Sequence, residues 1–252
     1  ELARVVGRAA DVAWSNLATR DIGIDTLRRA VIEIAAALPV YRTYVNGDGA
    51  ATEDVRLIES AIGNVRSAGM IEDPSALDFI ARLWRGDPAN DTPPDSRFAA
   101  LLQQLTGPAM AKSVEDTVFY RYNRLIALNE VGGNPDAFGA PPADFHAAME
   151  TRRLTQPLGL SATATHDTKR GEDARARLYT LSEMPTLWRN GVNRWRRLNA
   201  RFRTSGPEAA IPDPSTEWMF YQALAGAWPA EMVARRSWSE MPSRLEDLSG
   251  RM

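Results

Sequence analysis

Apolar residues recur every three or four positions through most of the first hundred residues, and this spacing constrains the fold more than any other feature. A period of this kind places apolar side chains along one face of an α-helix. The sequence therefore predicts four successive amphipathic helices that bury their apolar faces against one another. Their apolar stripes run from Leu2 to Ala13, Leu27 to Leu38, Val55 to Val65 and Leu77 to Leu83.

Helix ends are marked by residues that cap or break helices. Pro39 closes the second helix, Thr52 is the predicted N-cap of the third, and Gly69 is its predicted stop. Asp73 precedes Pro74, a capping residue followed by proline at a first helical position.

The later sequence mixes helical and irregular segments. Residues 86–96 carry three prolines and predict an exposed loop. The apolar run Leu158–Thr165, which follows Pro157, predicts a buried strand. Further helices are predicted over Phe98–Leu105, Trp188–Phe202 and Trp218–Ala227.

Composition narrows the possible partners and the compartment. With 44% hydrophobic residues the chain can bury a core, and a net charge of -2 gives no overall attraction to nucleic acid. The longest apolar run, 31–40, contains Glu33 and is too short to span a bilayer, so no membrane partner is expected. The absence of cysteine excludes disulfides and thiolate metal sites and favours a reducing cytoplasm.

The stretch SATATHDTKRGED, residues 161–173, raises two alternatives. His166 and Asp167 follow the predicted strand, and α/β folds place polar sites at the carboxyl ends of strands. Alternatively, Asp167 or Thr168 caps the helix that follows, with Glu172 and Asp173 in its first turn. The residues alone leave both interpretations open.

Two other stretches combine charges with aromatic rings. Residues 107–133, GPAMAKSVEDTVFYRYNRLIALNEVGG, and residues 39–44, PVYRTY, suit a sugar, which packs on rings and needs paired hydrogen-bonding groups. An ordinary amphipathic helix with aromatic packing is the alternative for the first, and ordinary structural packing is likewise the alternative for the second. Residues 189–203 carry six arginines, but the stripe through Val192, Trp195, Leu198 and Phe202 favours a core-facing helix over a nucleic-acid helix.

Taken together, PVYRTY, the 107–133 stretch, ATHDTKRGEDARARLYTLSEMPTLW and YQALAGAWP resemble, in this order, the maltooligosyl trehalose synthases of the α-amylase superfamily. The resemblance implies a (β/α)8 barrel with a long helical insertion, and a retaining intramolecular transglucosylation. In that reaction the reducing-end α-1,4 bond of a maltooligosaccharide becomes an α,α-1,1 bond. The resemblance implies no redox cofactor and no obligatory metal.

The resemblance also implies roles for individual residues. Asp167 is expected to stabilise the oxocarbenium-like transition state, and His166 to hydrogen-bond the same ring. Lys112 and Lys169 are expected to contact the sugar near its reducing end. Arg170, Tyr41 and Arg42 are further candidate substrate-binding residues.

The expected fold class is mainly α, a helical insertion plus part of an incomplete (β/α)8 barrel with few short strands. The insertion is assigned to residues 1–106, the late-barrel segment to 107–229, and a divergent tail to 230–252. The family's nucleophile and acid/base lie on earlier strands without a match here, so we expect a fragment that is inactive alone and whose partners are a maltooligosaccharide and the missing barrel segments. The alternative is a noncatalytic helical module, derived from that scaffold, that binds carbohydrate or protein.

Overall fold

A computed structural model describes residues 1–206, 210–229 and 246. The chain divides into two compact units, Glu1–Asp116 (unit 1) and Thr117–Met252 (unit 2). The described part is mainly α-helical, as predicted, and its one sheet is a two-stranded antiparallel hairpin. The predicted boundary after residue 106 lies within a helix of unit 1, and the predicted tail 230–252 lies outside the described residues except for position 246.

Unit 1 contains five α-helices, which confirm the four predicted from the apolar stripes. Their bounds are α1 Leu2–Trp14, α2 Ile24–Ala37, α3 Thr52–Ala68, α4 Ser75–Arg85 and α5 Ser96–Met110. The stripes meet in one core, in which residues such as Leu27, Ile34, Ile58, Ile80 and Phe98 are fully buried. Apolar burial of this kind is the main force that holds the helices together.

Two details of unit 1 differ from the sequence predictions. Thr52 does not cap α3, because the N-cap position is Ala51 and no side chain bonds there; Gly69 does end the helix, in a left-handed conformation at φ 64°. Helix α5 is longer than predicted, since Asp95 caps it through the Phe98 amide and it continues past Pro108. A π-helical turn, Ala111–Glu115, follows directly.

The described residues of unit 2 form four α-helices, α6 Pro142–Thr155, α7 Glu172–Glu183, α8 Pro185–Asn199 and α9 Pro214–Ala227, and the hairpin of β1 Thr204–Ser205 and β2 Ala210–Ile211. Its main core cluster among the described residues is small: Leu125, Ile126 and Ala127 pack with Leu178 of α7. Partly buried residues that pack against this cluster include Met219 and Ala223 of α9. Gln222 of α9 reinforces this contact, because it accepts from the Ile126 amide at 3.0 Å and donates to the Asn123 carbonyl at 2.9 Å.

The predicted buried strand at 158–165 is wrong for the described chain. The segment is irregular, and the side chains of Leu158 and Leu160 are 94% and 97% exposed. A strand needs a neighbour to satisfy its backbone groups, and no described strand pairs with this segment. The described residues therefore do not show a barrel.

Helix α8 buries less of its apolar stripe than predicted. Val192 is buried, whereas Trp195, Leu198 and Phe202 are 38%, 59% and 67% exposed. The helix is held instead by aromatic and ionic contacts. Trp195 contacts the ring of Tyr221 on α9 at 5.4 Å between centroids, and Arg196 lies 3.3 Å from the buried carboxylate of Glu217.

No helix of the described residues combines the length and apolar character needed to cross a membrane.

Candidate functional site

The His166–Asp167 pair lies in a turn immediately before α7. The amide and hydroxyl of Thr168 both donate to the Thr165 carbonyl, at 3.2 and 2.7 Å, which closes the turn. His166 Nε2 lies 3.3 Å from Asp167 Oδ2, and the two side chains are 91% and 68% exposed. The turn therefore presents an imidazole and a carboxylate side by side to solvent.

Neither Asp167 nor Thr168 caps the following helix. Helix α7 begins at Glu172, and its N-cap position is Gly171, which makes no side-chain cap bond. The capping interpretation of the sequence is therefore wrong, because three residues separate Thr168 from the first helical residue.

Lys169 and Arg170 continue the same loop and are less exposed. The amide of Lys169 donates to Glu130 Oε1 at 2.7 Å, and the amide of Arg170 donates to Glu130 Oε2 at 3.3 Å. The Arg170 guanidinium donates to the Ile126 carbonyl at 3.2 Å. Burial lowers the pKa of Arg170 below its ordinary value, and nearby Tyr120 and Glu130 oppose this shift.

In unit 1, a chain of buried hydrogen bonds positions the segment that carries Tyr41 and Arg42. Trp84 Nε1 donates to Thr43 Oγ1 at 3.1 Å, Thr43 donates to Gln103 Oε1 at 2.9 Å, and Gln103 Nε2 donates to the Val45 carbonyl at 3.1 Å. Residues 43–45 are thereby fixed to α4 and α5. The irregular segment needs these bonds because it has no ladder of its own.

The three predicted site residues of unit 1 each make a local contact. The Tyr41 hydroxyl donates to the Glu115 carboxylate. The guanidinium of Arg42 lies over the ring of Tyr44, 4.4 Å from its centroid. Lys112 Nζ lies 2.6 Å from Asp116 Oδ2, with its side chain 79% exposed.

The stretch 107–133 is not the ordinary amphipathic helix that its sequence allowed. It consists of the end of α5, the π-helical turn, and 3-10 turns at Val118–Tyr120 and Ile126–Leu128. Buried Asn129 holds the turns together, because its Nδ2 donates to the carbonyls of Phe119 and Tyr122, both at 2.8 Å.

Glu130 is the residue of this region whose importance the sequence analysis missed. Its carboxylate is 13% exposed, and it joins the 107–133 stretch to the loop that carries the His-Asp pair. The available signal was an acidic residue two positions before the Gly132–Gly133 pair in the 107–133 stretch. Among the described residues, no three acidic or histidine side chains form a group that could hold a metal ion.

Comparison with known proteins shows which family the chain is similar to. The chain is 43% identical over 131 residues to putative maltooligosyl trehalose synthases of two Mycobacterium tuberculosis strains, CDC 1551 / Oshkosh and H37Rv. A solved maltooligosyltrehalose synthase from Arthrobacter ramosus matches 91% of this chain at 33% identity, with a TM-score of 0.66. The chain is a partial homologue of maltooligosyl trehalose synthases.

The match to these synthases covers only part of their length. The aligned region is 52% of this chain but 16% of the mycobacterial proteins, and the chain covers 26% of the Arthrobacter synthase. A hypothetical maltooligosyl trehalose synthase from Sulfolobus tokodaii gives the same picture, at 26% identity, a TM-score of 0.58 and 28% of its chain. No family model matches the sequence.

Proposed function

We propose that residues 1–229 form the helical insertion and late-barrel part of a maltooligosyl trehalose synthase. The complete enzyme would convert the reducing-end α-1,4 bond of a maltooligosaccharide into an α,α-1,1 bond by retaining intramolecular transglucosylation. The observation that carries this proposal is the match of 91% of the chain to the Arthrobacter synthase at 33% identity.

In this proposal Asp167 stabilises positive charge on the sugar ring in the transition state, and His166 hydrogen-bonds the same ring. A carboxylate that is 68% exposed acts weakly, because water screens its charge several-fold more than a covered site does. Asp167 therefore needs further barrel segments over it before it becomes an effective electrostatic catalyst.

Lys112 and Lys169 are assigned to sugar hydroxyls near the reducing end. An ammonium group offers three donors on a flexible stem, which suits hydroxyl acceptors that turn over during the transfer. Arg170, Tyr41 and Arg42 are assigned to the substrate with fewer supporting contacts, since each is engaged with a protein group.

The isolated chain is proposed to be inactive. A retaining transfer needs a carboxylate nucleophile and a separate acid/base, about 5 Å apart. Asp167 can stabilise charge, but one carboxylate cannot supply the covalent intermediate and also the proton for the leaving oxygen.

A noncatalytic carbohydrate-binding module is the second candidate. The exposure of His166 and Asp167 favours it, because an open loop can bind a sugar without covering it. The two candidates differ in what happens when the rest of a synthase is supplied.

The test replaces the homologous segment of the Arthrobacter synthase with residues 1–229 of this chain. Purified chain and segment-exchanged synthase are incubated separately with maltopentaose, and nonreducing product and free glucose are measured. We expect no product from the chain alone and enzyme-proportional nonreducing product from the exchanged synthase. A folded exchanged synthase without activity would favour the noncatalytic module, and product from the chain alone would overturn the assignment of an incomplete site.

A further inference from the structure

The carboxylate of Glu130, which is 13% exposed, accepts three backbone amides. Besides those of Lys169 and Arg170, the amide of Val131 donates to Oε1 at 2.9 Å. A carboxylate removed from water is costly unless hydrogen bonds and an opposite charge compensate it. Two of the hydrogen bonds that compensate this carboxylate come from the backbone of residues 169–170.

Arg175 of α7 supplies the opposite charge. Its Nη1 lies 4.0 Å from Glu130 Oε2, and the two side chains are 16% and 13% exposed. Arg175 also donates through Nη2 to the Thr163 carbonyl, and the Thr163 hydroxyl donates to Glu172. One ion pair therefore holds both ends of the loop between Thr163 and Lys169.

The turn that carries Glu130 is itself fixed. The amide of Gly133 donates to the Glu130 carbonyl at 2.7 Å, and a Cβ atom at Gly133 would lie 2.7 and 2.8 Å from the carbonyl oxygens of Glu130 and Leu128. The backbone there admits only glycine without a shift. Asn129, the residue before Glu130, is anchored by the two hydrogen bonds of its side chain, so the backbone from which Glu130 extends is held in place.

We infer that Glu130 is a positioning residue for the loop of residues 164–168. Together with Arg175, Glu130 sets the orientation in which His166, Asp167 and the adjoining Lys169 contact a sugar. His166 and Asp167 are exposed, and the hydrogen bonds of residues 165–168 seen among the described residues are local. This inference rests on the proposed function, because it takes the loop to contact maltooligosaccharide.

The variants Glu130→Gln and Glu130→Ala test the inference in the full chain. Glutamine keeps one acceptor oxygen and the shape, whereas alanine removes both acceptors and leaves Arg175 without its carboxylate. Glu183→Gln is the matched control, since Glu183 is an exposed glutamate at the last position of α7. Thermal unfolding of each variant shows whether unit 2 stays folded.

Two measurements separate positioning from sugar contact. Amide exchange at Lys169 and Arg170 is expected to rise about 10-fold or more in Glu130→Gln and further in Glu130→Ala, while amides of the α7 and α9 core remain protected. The imidazole resonance of His166 is followed during titration with maltopentaose, and His146 on α6 is the internal reference. The half-saturating sugar concentration is expected to rise in the same order, with Glu183→Gln unchanged.

Three outcomes would contradict the positioning role or the sugar contact on which it rests. Unchanged exchange at Lys169 and Arg170 in both Glu130 variants would overturn the positioning role, whatever the sugar does. Raised exchange with unaltered sugar response would also overturn it, because Glu130 would then be only structural. A wild-type His166 that does not respond to maltopentaose at millimolar concentration would overturn sugar contact by this loop in the isolated chain, independently of the exchange result, whereas failure of the proposed function would appear in the segment-exchanged synthase.

Discussion

At the scale of single residues, the ion pair between Arg8 and Asp95 makes unit 1 sensitive to acid. Asp95 Oδ1 accepts from Arg8 Nε at 3.2 Å, Oδ2 accepts from Nη2 at 2.5 Å, and Oδ1 also accepts the Phe98 amide at 2.8 Å. Burial raises the pKa of Asp95, but the Arg8 and Phe98 hydrogen bonds outweigh it and hold the pKa below its ordinary value.

A lowered pKa in the folded state fixes the sign of the pH dependence. The stabilisation is present above the unfolded value of about 3.9 and is lost as the pH falls through the folded value. Asp95→Asn keeps a capping group but removes the charge, so we expect the free energy of unfolding at pH 7 to fall by about 1–3 kcal/mol. Urea unfolding at pH 7 and pH 3 measures this.

The difference between Asp95→Asn and the unaltered chain should shrink at pH 3, where the carboxyl group takes up its proton. Asp11→Asn is the control, because Asp11 is exposed and lies on α1 near Arg8. An Asp95→Asn deficit that is the same at both pH values would show that the charge is not what stabilises the cap.

At the scale of elements, Gln103 of α5 holds the segment of residues 43–45 in place. It is 9% exposed and bonds to Thr43 and to the Val45 carbonyl, whereas its neighbour Gln104 is exposed. Gln103→Leu leaves these buried groups unsatisfied and should lower the free energy of unfolding by about 1–3 kcal/mol.

Gln104→Leu is the matched control, one residue along the same helix, and should change the free energy of unfolding by less than about 0.5 kcal/mol. Chemical denaturation of both variants provides the comparison. Equal effects would mean that the amide chain from Trp84 to Val45 does not hold the segment.

The sequence predicted the helices of unit 1 because a long apolar stripe at helical spacing can bury its side chains in only one way. It failed where hydrogen bonds between distant residues replace regular structure. The turns of 117–133 depend on Asn129 and on Gln222, which contacts Asn123 and Ile126 from almost a hundred residues away. No local pattern reveals such a contact.

In the candidate site, too, local sequence features could be predicted, whereas contacts between distant residues could not. The stretch 161–173 could be recognised from its residues, and so could the pair His166–Asp167. Its support by Glu130 and Arg175 could not, since the 39-residue separation between Glu130 and Lys169 becomes a contact only in the folded chain. The buried strand at 158–165 was predicted from apolar residues for which no strand of the described residues is a partner.

At the scale of the whole molecule, the exposed apolar side chains of Leu158 and Leu160 leave a surface that water solvates poorly. Each is more than nine-tenths exposed, and Leu154 at the end of α6 is 65% exposed. Exposed apolar residues that lie close together promote association. We expect the purified chain to self-associate with rising concentration in sedimentation velocity.

The double variant Leu158→Gln with Leu160→Gln should reduce this association while leaving thermal unfolding unchanged, because neither side chain is packed in the folded state. Leu17→Gln is the control, since Leu17 is 78% exposed in unit 1. Leu178 is unsuitable as a control position because it is fully buried. Association that persists in the double variant would show that a surface other than Leu158 and Leu160 mediates self-association.

Asp167 is the residue on which the proposed catalysis depends most, and the segment-exchanged Arthrobacter synthase tests its role most directly. Asp167→Asn keeps the shape but removes the charge that faces the transition state, so the rate of trehalose-type product formation from maltopentaose should fall about 100-fold or more, with KM changed far less. Asp136→Asn, at an exposed aspartate of unit 2, should leave the rate within about twofold. A folded Asp167→Asn enzyme with the rate of the Asp136→Asn control would contradict the assignment of Asp167 as the charge-stabilising carboxylate.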